Sequence, residues 1–245
     1  MRYGLVSDIH GNFEAFSKAL SLIEKAQVDN ILGAGDIVGY GPDPSQCIHL
    51  VKEYEIKSVL GNHDCAVNND EEASLFNTYA REAIEWERNN LSYEDLNFLK
   101  NLPLTLKENG FIIFHGLLDS VSPFTYILSD YEAWRSFNNM NVNIGFFGHT
   151  HIPGAYIMDE KGTIKFISGV KGLRIILEEG KRYLINVGSV GQPRDGNPQG
   201  AYTIFDSEKN TVEIHRFFYD IEKTYKKIIS AGLPPFLGER LFIGF

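Results

Sequence analysis

Cysteine is nearly missing from this chain: Cys47 and Cys65 are the only two. A disulfide framework is therefore excluded, and a reducing cytoplasm is the expected compartment. Long apolar runs are missing as well. None approaches the ~18 residues of a membrane span. Met1 runs straight into a strand-like pattern, without the charged segment and apolar stretch of a secretory leader, so neither a leader nor a membrane partner is expected. Basic blocks are absent: 23 Lys and Arg face 32 Asp and Glu, for a net charge of −9. Broad electrostatic binding to nucleic acid is thus not expected. A small phosphate substrate held by local metal ions stays compatible with that charge. There is no internal repeat and no low-complexity segment.

What is present is enough apolar sequence, 43% over 245 residues, to bury a full core. Five apolar runs end on metal-ligand types of residue. Arg2 to Ser7 ends at Asp8-Ile9-His10. Asn30 to Gly35 ends at Asp36. Ile56 to Leu60 ends at Gly61-Asn62-His63-Asp64. Phe111 to Phe114 ends at His115. Asn143 to Gly148 ends at His149-Thr150-His151. Each run reads as a short buried strand, and α/β proteins place their chemistry at such strand tips. Length alone allows one or two domains, at roughly 150 residues each. One domain, residues 1–245, is expected, because tips spread over residues 8 to 151 must share one site.

The first half alternates strand and helix. Phe13, Phe16, Leu20 and Ile23 have helical spacing, with Asn12 as N-cap. Asp43-Pro44 opens a second helix to Glu53, with Asp43 as its N-cap. This βαβαβ order implies parallel strands whose C-terminal ends converge. Residues 71–100 form a helical excursion, either a layer packed on the sheet or a cap that shapes a substrate pocket. From Phe111 onward, closely spaced strands separated by turns predict a second sheet of hairpins stacked on the first. The tail, 232–245, is Pro-rich and then apolar. It is expected to pack on the body or on a second copy as a homo-oligomer contact.

Seven of these tip residues, Asp8, His10, Asp36, Asn62, His115, His149 and His151, offer oxygen and imidazole donors suited to Mn, Fe, Zn, Co or Ni. No thiolate is among them, which argues against a Cys-rich structural zinc site. Seven donors are too many for one catalytic ion with an open position. They suit two divalent ions sharing a carboxylate, a phosphoryl-transfer device. His49, mid-helix, and His215, mid-strand, read as ordinary surface or satisfied histidines. Nothing calls for a nucleophilic role at Cys65.

In order and spacing, Asp8-Ile-His10, Gly35-Asp36, Gly61-Asn-His-Asp64, His115 and Gly148-His-Thr-His151 resemble the calcineurin-like metallophosphoesterase superfamily. Asn186-Val-Gly-Ser-Val-Gly-Gln-Pro-Arg-Asp-Gly196 resembles its small prokaryotic phosphodiesterase branch. The resemblance implies an α/β fold, a four-layer α-β-β-α sandwich of two mixed sheets with a dinuclear metal site at the strand C-terminal tips. It implies that Asp8, His10 and His151 hold one ion, that Asn62, His115 and His149 hold the other, and that Asp36 bridges them. His63 then corresponds to the non-ligand histidine that protonates the leaving oxygen or stabilises the transition state, with Asp64 orienting it. A metal-bridging hydroxide is the implied nucleophile.

One departure bears on substrate. Phosphoprotein-directed members carry Arg where this chain has Tyr40, in Gly35-Asp-Ile-Val-Gly-Tyr40-Gly41. An Arg there clamps a dianionic phosphate bidentately, and Tyr cannot. The expected activity is therefore a phosphodiesterase, with manganese as the first choice of metal. Arg194 either supplies part of the missing charge or is an exposed loop residue, and Tyr40 either contacts substrate or supports the site. Two further enzyme readings are a dinucleoside polyphosphate or nucleotide hydrolase and a phosphomonoesterase. A non-catalytic scaffold of the same fold is the reading from another class. The expected partner is a small phosphoester or nucleotide.

Overall fold

A computed structural model describes residues 1–119 and 121–245. Two six-stranded sheets pack face to face. In the first, β1 (Arg2–Val6), β2 (Asn30–Gly33) and β3 (Lys57–Ser58) run parallel in the order β3-β2-β1. The sheet continues antiparallel from β1. Its remaining strands are β11 (Gly200–Asp206), β12 (Thr211–Phe217) and β9 (Leu173–Ile176). In the second sheet, β5 (Phe111–Phe114), β6 (Ile144–Phe147) and β10 (Arg182–Asn186) are parallel. Antiparallel β4 (Thr105–Glu108) forms one edge, and β7 (Gly154–Met158) with β8 (Ile164–Ser168) forms the other.

Between the sheets lies an apolar layer built from alternating inward positions. Tyr3 and Leu5 from β1 meet Phe111, Phe146 and Phe205. Tyr3 and Phe111 pack edge to face with centroids 5.0 Å apart. Helices cover the outer faces. α1 (Phe13–Lys25) starts where the Asn12 side chain accepts the Ala15 amide at 3.1 Å, and it buries Phe16, Leu20 and Ile23 on the first sheet. Each such side chain contributes about 1.5–3 kcal/mol by leaving water. α7 (Asp130–Asn139) covers the second sheet through Ala133 and Phe137. The fold is therefore the four-layer α-β-β-α sandwich expected, with helix on sheet, sheet on sheet, and sheet on helix.

Several details differ from the sequence reading. The strands after Phe111 do not make one sheet by themselves. β9, β11 and β12 complete the first sheet, because β11 is buried almost throughout and needs neighbours on both edges. β3 is shorter than Ile56 to Leu60, since the Leu60 amide leaves the ladder to donate to the Pro103 carbonyl. β4 was not expected, being a short edge strand of alternating exposed and half-buried residues. The tetrad at Gly61 turns directly into a short helix, α3 (Asn62–Ala66). The excursion breaks into α4 (Asp70–Ser74), α5 (Thr78–Asn90) and α6 (Tyr93–Lys100), with Asn77 capping α5. α2 (Pro44–Glu53) begins at Pro44 as expected, but Asp43 makes no side-chain cap. Its carboxylate pairs with Lys227 at 2.8 Å instead.

After α8 (Ile221–Ser230) the tail returns to the body. It forms α9 (Pro235–Glu239) and a 3-10 turn at Arg240–Phe242. Leu233, Leu237 and Leu241 are buried against Tyr40, Ala80, Ala83 and Ile228. The tail thus packs on the body, with Phe242, Ile243 and Phe245 left exposed.

Candidate metal centre

Both sheets point the C-terminal ends of their parallel strands to one side, and the loops there carry the tip residues. Asp8 and His10 follow β1, Asp36 follows β2, and Asn62 follows β3. His115 follows β5, and His149 and His151 follow β6. All seven are buried. The loops reach this geometry by a strained route. Asp8, His10, Asp36, Tyr40, His149 and His151 all have positive φ, between 51° and 66°. For residues with a Cβ this costs about 1–3 kcal/mol each and clusters at functional sites. Gly61 permits a close approach: a Cβ there would lie 2.1 Å from Asp36 Oδ1.

Two overlapping groups result. Asp8, His10, Asp36 and His151 offer donor atoms all within 4.8 Å of one another, and so do Asp36, His115 and His149. Asp36 belongs to both. The His10 and His151 Nε2 atoms face each other at 3.1 Å. Asp36 Oδ2 is 3.6 Å from His10 Nε2 and 3.2 Å from His115 Nε2. Asn62 Oδ1 lies 3.1 Å from His115 Nε2.

The outer bonds of the imidazoles fix which nitrogen is free. His10 Nδ1 donates to the Val38 carbonyl at 3.1 Å, and His115 Nδ1 to the Ala34 carbonyl at 2.7 Å. His151 Nδ1 donates to the Gln192 carbonyl. A neutral ring that donates through Nδ1 presents its Nε2 lone pair inward. His149 is reversed: Nε2 donates to the Phe124 carbonyl at 2.8 Å, which frees Nδ1.

Lone pairs and carboxylate oxygens thus converge on one another. Asp36 Oδ2 is buried without a hydrogen-bond partner among the described residues, whereas Oδ1 accepts the His63 amide at 2.9 Å. A bare buried carboxylate oxygen costs about 1–3 kcal/mol or more. A divalent cation removes both the cost and the repulsion, so the donor set fits metal ions.

The charges are set by burial. Burial holds His10 and His151 well below the ordinary histidine range and lowers His149 to about 3. Burial pushes Asp8 up to about 7. At Asp36 burial also pushes upward, but His115, His63 and His10 outweigh it and hold the carboxyl below its usual range. At His115 burial pushes downward, but Asp36 outweighs it and raises the ring to about 9.

His63 stands beside the donors without joining either group. Its ring packs 4.4 Å from Tyr40, 4.6 Å from Phe76 and 4.9 Å from His10, centroid to centroid. Nδ1 has no hydrogen-bond partner among the described residues, and burial lowers the ring to about 4. The expected support from Asp64 is not made. Asp64 Oδ1 accepts the Ile37 and Val38 amides, and Oδ2 accepts the Gly61 amide at 3.1 Å. Its carboxylate is consumed by the loop carrying Asp36. His49 and His215 lie elsewhere, beside Glu53 and Glu213.

A cavity of about 540 Å3 opens onto the centre. Asn62, His63 and His149 form its floor; Tyr40, Arg194 and Arg240 form one side. Arg194 is not a free loop residue: its guanidinium bonds Gln192 Oε1 (2.8 Å) and Tyr40 Oη (3.4 Å). Glu72, Leu75, Phe76 and Asn77 bring the start of the excursion into the wall, which supports both expected roles for that segment. Three contributors were not expected from sequence. Arg240 arrives from the tail. Phe124 arrives from the loop after β5. Glu87, in α5, is fully buried and accepts the Gly39 amide at 2.5 Å behind Tyr40. Only Glu87 carried any sequence signal, an acid inside the apolar pattern of its helix.

Comparison with known proteins agrees with this geometry. Residues 1–210 match the model of the calcineurin-like phosphoesterase superfamily domain. An uncharacterized protein of Methanocaldococcus jannaschii is 41% identical over 244 residues, covering 98% of this chain and 97% of that protein. The crystal structure of a metallophosphoesterase from Sphaerobacter thermophilus is 36% identical with a TM-score of 0.88, covering 100% of this chain and 99% of that one. A hypothetical protein from Pyrococcus horikoshii shares the fold at 17% identity, with a TM-score of 0.79 and coverage of 100% and 98%.

Proposed function

The chain belongs to the calcineurin-like phosphoesterase superfamily, and from that premise we propose that it hydrolyses phosphodiesters with two divalent transition-metal ions, manganese first among them. The observation that carries the proposal is Asp36. It is common to both donor groups, and one of its oxygens is bare and buried among inward-facing imidazoles. Asp8, His10 and His151 would hold one ion, Asn62, His115 and His149 the other, and Asp36 both. Bound there, the ions supply Lewis acidity toward a phosphoryl oxygen and acidify water for attack on phosphorus.

The protein's own residues do the rest. The carbonyls of Val38, Ala34 and Gln192 fix the imidazole tautomers. Asp64 fixes the Asp36 loop. His63, close to the centre and outside both groups, is placed to give a proton or hydrogen bond to the leaving oxygen. In the substrate-free chain it is neutral at ordinary pH, and an anionic substrate beside the ring favours its protonation.

The diester reading is supported by Tyr40 and by the size of the cavity. The Tyr40 ring packs on His10 and His63 and occupies the position at which phosphoprotein-directed relatives carry the clamping Arg. A space of about 540 Å3 leaves room for substituents on both sides of a phosphorus atom.

The test is a matrix of Mn, Ni, Co, Zn and Mg against bis-p-nitrophenyl phosphate, p-nitrophenyl phosphate, cyclic nucleotides and dinucleoside polyphosphates. Metal-dependent diester turnover above monoester turnover is the expected result. Monoester preference would overturn the diester reading. No turnover with any metal would favour a scaffold.

A further inference from the structure

We infer that Arg194 and Arg240 form an anion subsite beside the metal centre, which holds a second phosphate group of the substrate. The inference rests on the phosphoester reading and narrows it: one arm of the two-substituent phosphorus carries a further phosphate.

The two arginines come from distant parts of the chain, the loop after β10 and the C-terminal turn, yet both line the same cavity. Their guanidinium carbons lie 5.7 Å and 5.9 Å from the Tyr40 ring centre. Both are half-buried. Among the described residues neither has a side-chain carboxylate within 4.0 Å. Other arginines do: Arg88 pairs with Asp70, Arg174 with Glu213, and Arg216 with Asp195, at 2.6, 3.1 and 2.6 Å. Asp195, the acid next to Arg194 in sequence, is thus already committed to Arg216.

Arg194 is held by neutral acceptors only, Gln192 Oε1 and Tyr40 Oη. Arg240 spends Nε on the Phe245 main-chain oxygen, which leaves both Nη groups without a bond among the described residues. Glu72 lines the same cavity but pairs with neither.

Two like charges thus share one half-buried wall. Burial lowers Arg240 to about 10, with the Arg194 charge as the next cause; at Arg194 burial also pushes downward, but Tyr40, Tyr126 and Asp8 outweigh it and raise the guanidinium. Such a pair is stabilised by an anion with several acceptor oxygens, and a guanidinium fork matches phosphate geometry. Packing holds Arg240 in place: Leu237 and Leu241, which flank it in sequence, are buried against the Tyr40 layer. Phe76 and Phe124 in the same cavity offer apolar surface to an organic arm. Hydrolysis at the centre forms one P–O bond from water and breaks one to the leaving group, whose oxygen takes a proton. No redox partner is involved.

The test separates binding from turnover. Inorganic tripolyphosphate is titrated calorimetrically into metal-free and Mn-loaded protein, wild type and the variants Arg240→Gln and Arg194→Gln, with circular dichroism to confirm folding. Loss of a charge-assisted contact should weaken tripolyphosphate at least about tenfold in each variant. Turnover of diadenosine tetraphosphate should fall by a similar factor relative to bis-p-nitrophenyl phosphate, which has no second phosphate. Unchanged tripolyphosphate affinity in both folded variants overturns the subsite, even if diester turnover is intact. Absent turnover in wild type overturns the phosphoester reading, while the metal-free titration still decides the subsite. If tripolyphosphate responds but diadenosine tetraphosphate does not, the subsite binds free polyphosphate and its role in substrate selection is overturned.

Discussion

Asp64 Oδ1 accepts the backbone amide of Ile37 at 2.8 Å, so the residue after His63 holds the loop that carries Asp36. Removing this anchor should act on metal binding before it acts on proton transfer. Asp64→Ala leaves the Ile37, Val38 and Gly61 amides unpaired and frees the Asp36 loop. Supporting residues of this kind typically carry about 10–100-fold in metal affinity. The expected result is weaker Mn binding by calorimetry, with turnover partly restored at high Mn. Unchanged affinity with reduced turnover would return Asp64 to the role of orienting His63.

Asp36 is the residue common to both donor groups. Asp36→Ala should empty both positions, whereas His149→Ala should disturb one. Elemental analysis after dialysis distinguishes these outcomes, and two retained ions in Asp36→Ala would refute the sharing.

His63 lies outside both groups, so His63→Ala should retain the full metal content. Its turnover should fall by at least ~10²-fold, the scale of a lost acid catalyst. The loss should be smaller for substrates with a good leaving group such as p-nitrophenolate, which departs without a proton. Equal losses for good and poor leaving groups would remove His63 from that step.

Glu87 gives a pH signature. Burial pushes its carboxyl well above the ordinary glutamate range. From about pH 4.5 up to the folded pKa the unfolded chain has lost this proton while the folded chain keeps it. Stability from this group therefore falls as pH rises through that window and is level below it. Glu87→Gln keeps an acceptor for the Gly39 amide and lacks the titration, so its melting temperature should gain on wild type between pH 4 and 8. Glu87→Leu also lacks the titration but leaves the Gly39 amide unpaired, so it should lie about 1–3 kcal/mol below Glu87→Gln at every pH. Parallel pH curves for wild type and Glu87→Gln would show that Glu87 is ionised in the fold.

The arrangement of donors was legible because it is written locally. Each tip residue follows an apolar run of strand length, and parallel βαβ order sends such ends to one side. That reasoning reached Asp8, His10, Asp36, Asn62, His115, His149 and His151 without any knowledge of contacts. What stayed hidden depends on partners far away in the chain. Asp64 sits next to His63 in sequence, yet the helix begun at Asn62 carries its carboxylate to the amides of residues 37 and 38. Arg240 has no motif around it and reaches the cavity because Leu237 and Leu241 find burial beside Tyr40. The division of late strands between sheets follows the same rule, since β11 could satisfy its backbone and its buried faces only beside β1. Local patterning determined the strands, the donors and the side on which they meet. Long-range packing decided which buried polar groups hold one another, because a carboxylate or guanidinium takes whichever partner the packed core brings within hydrogen-bond reach.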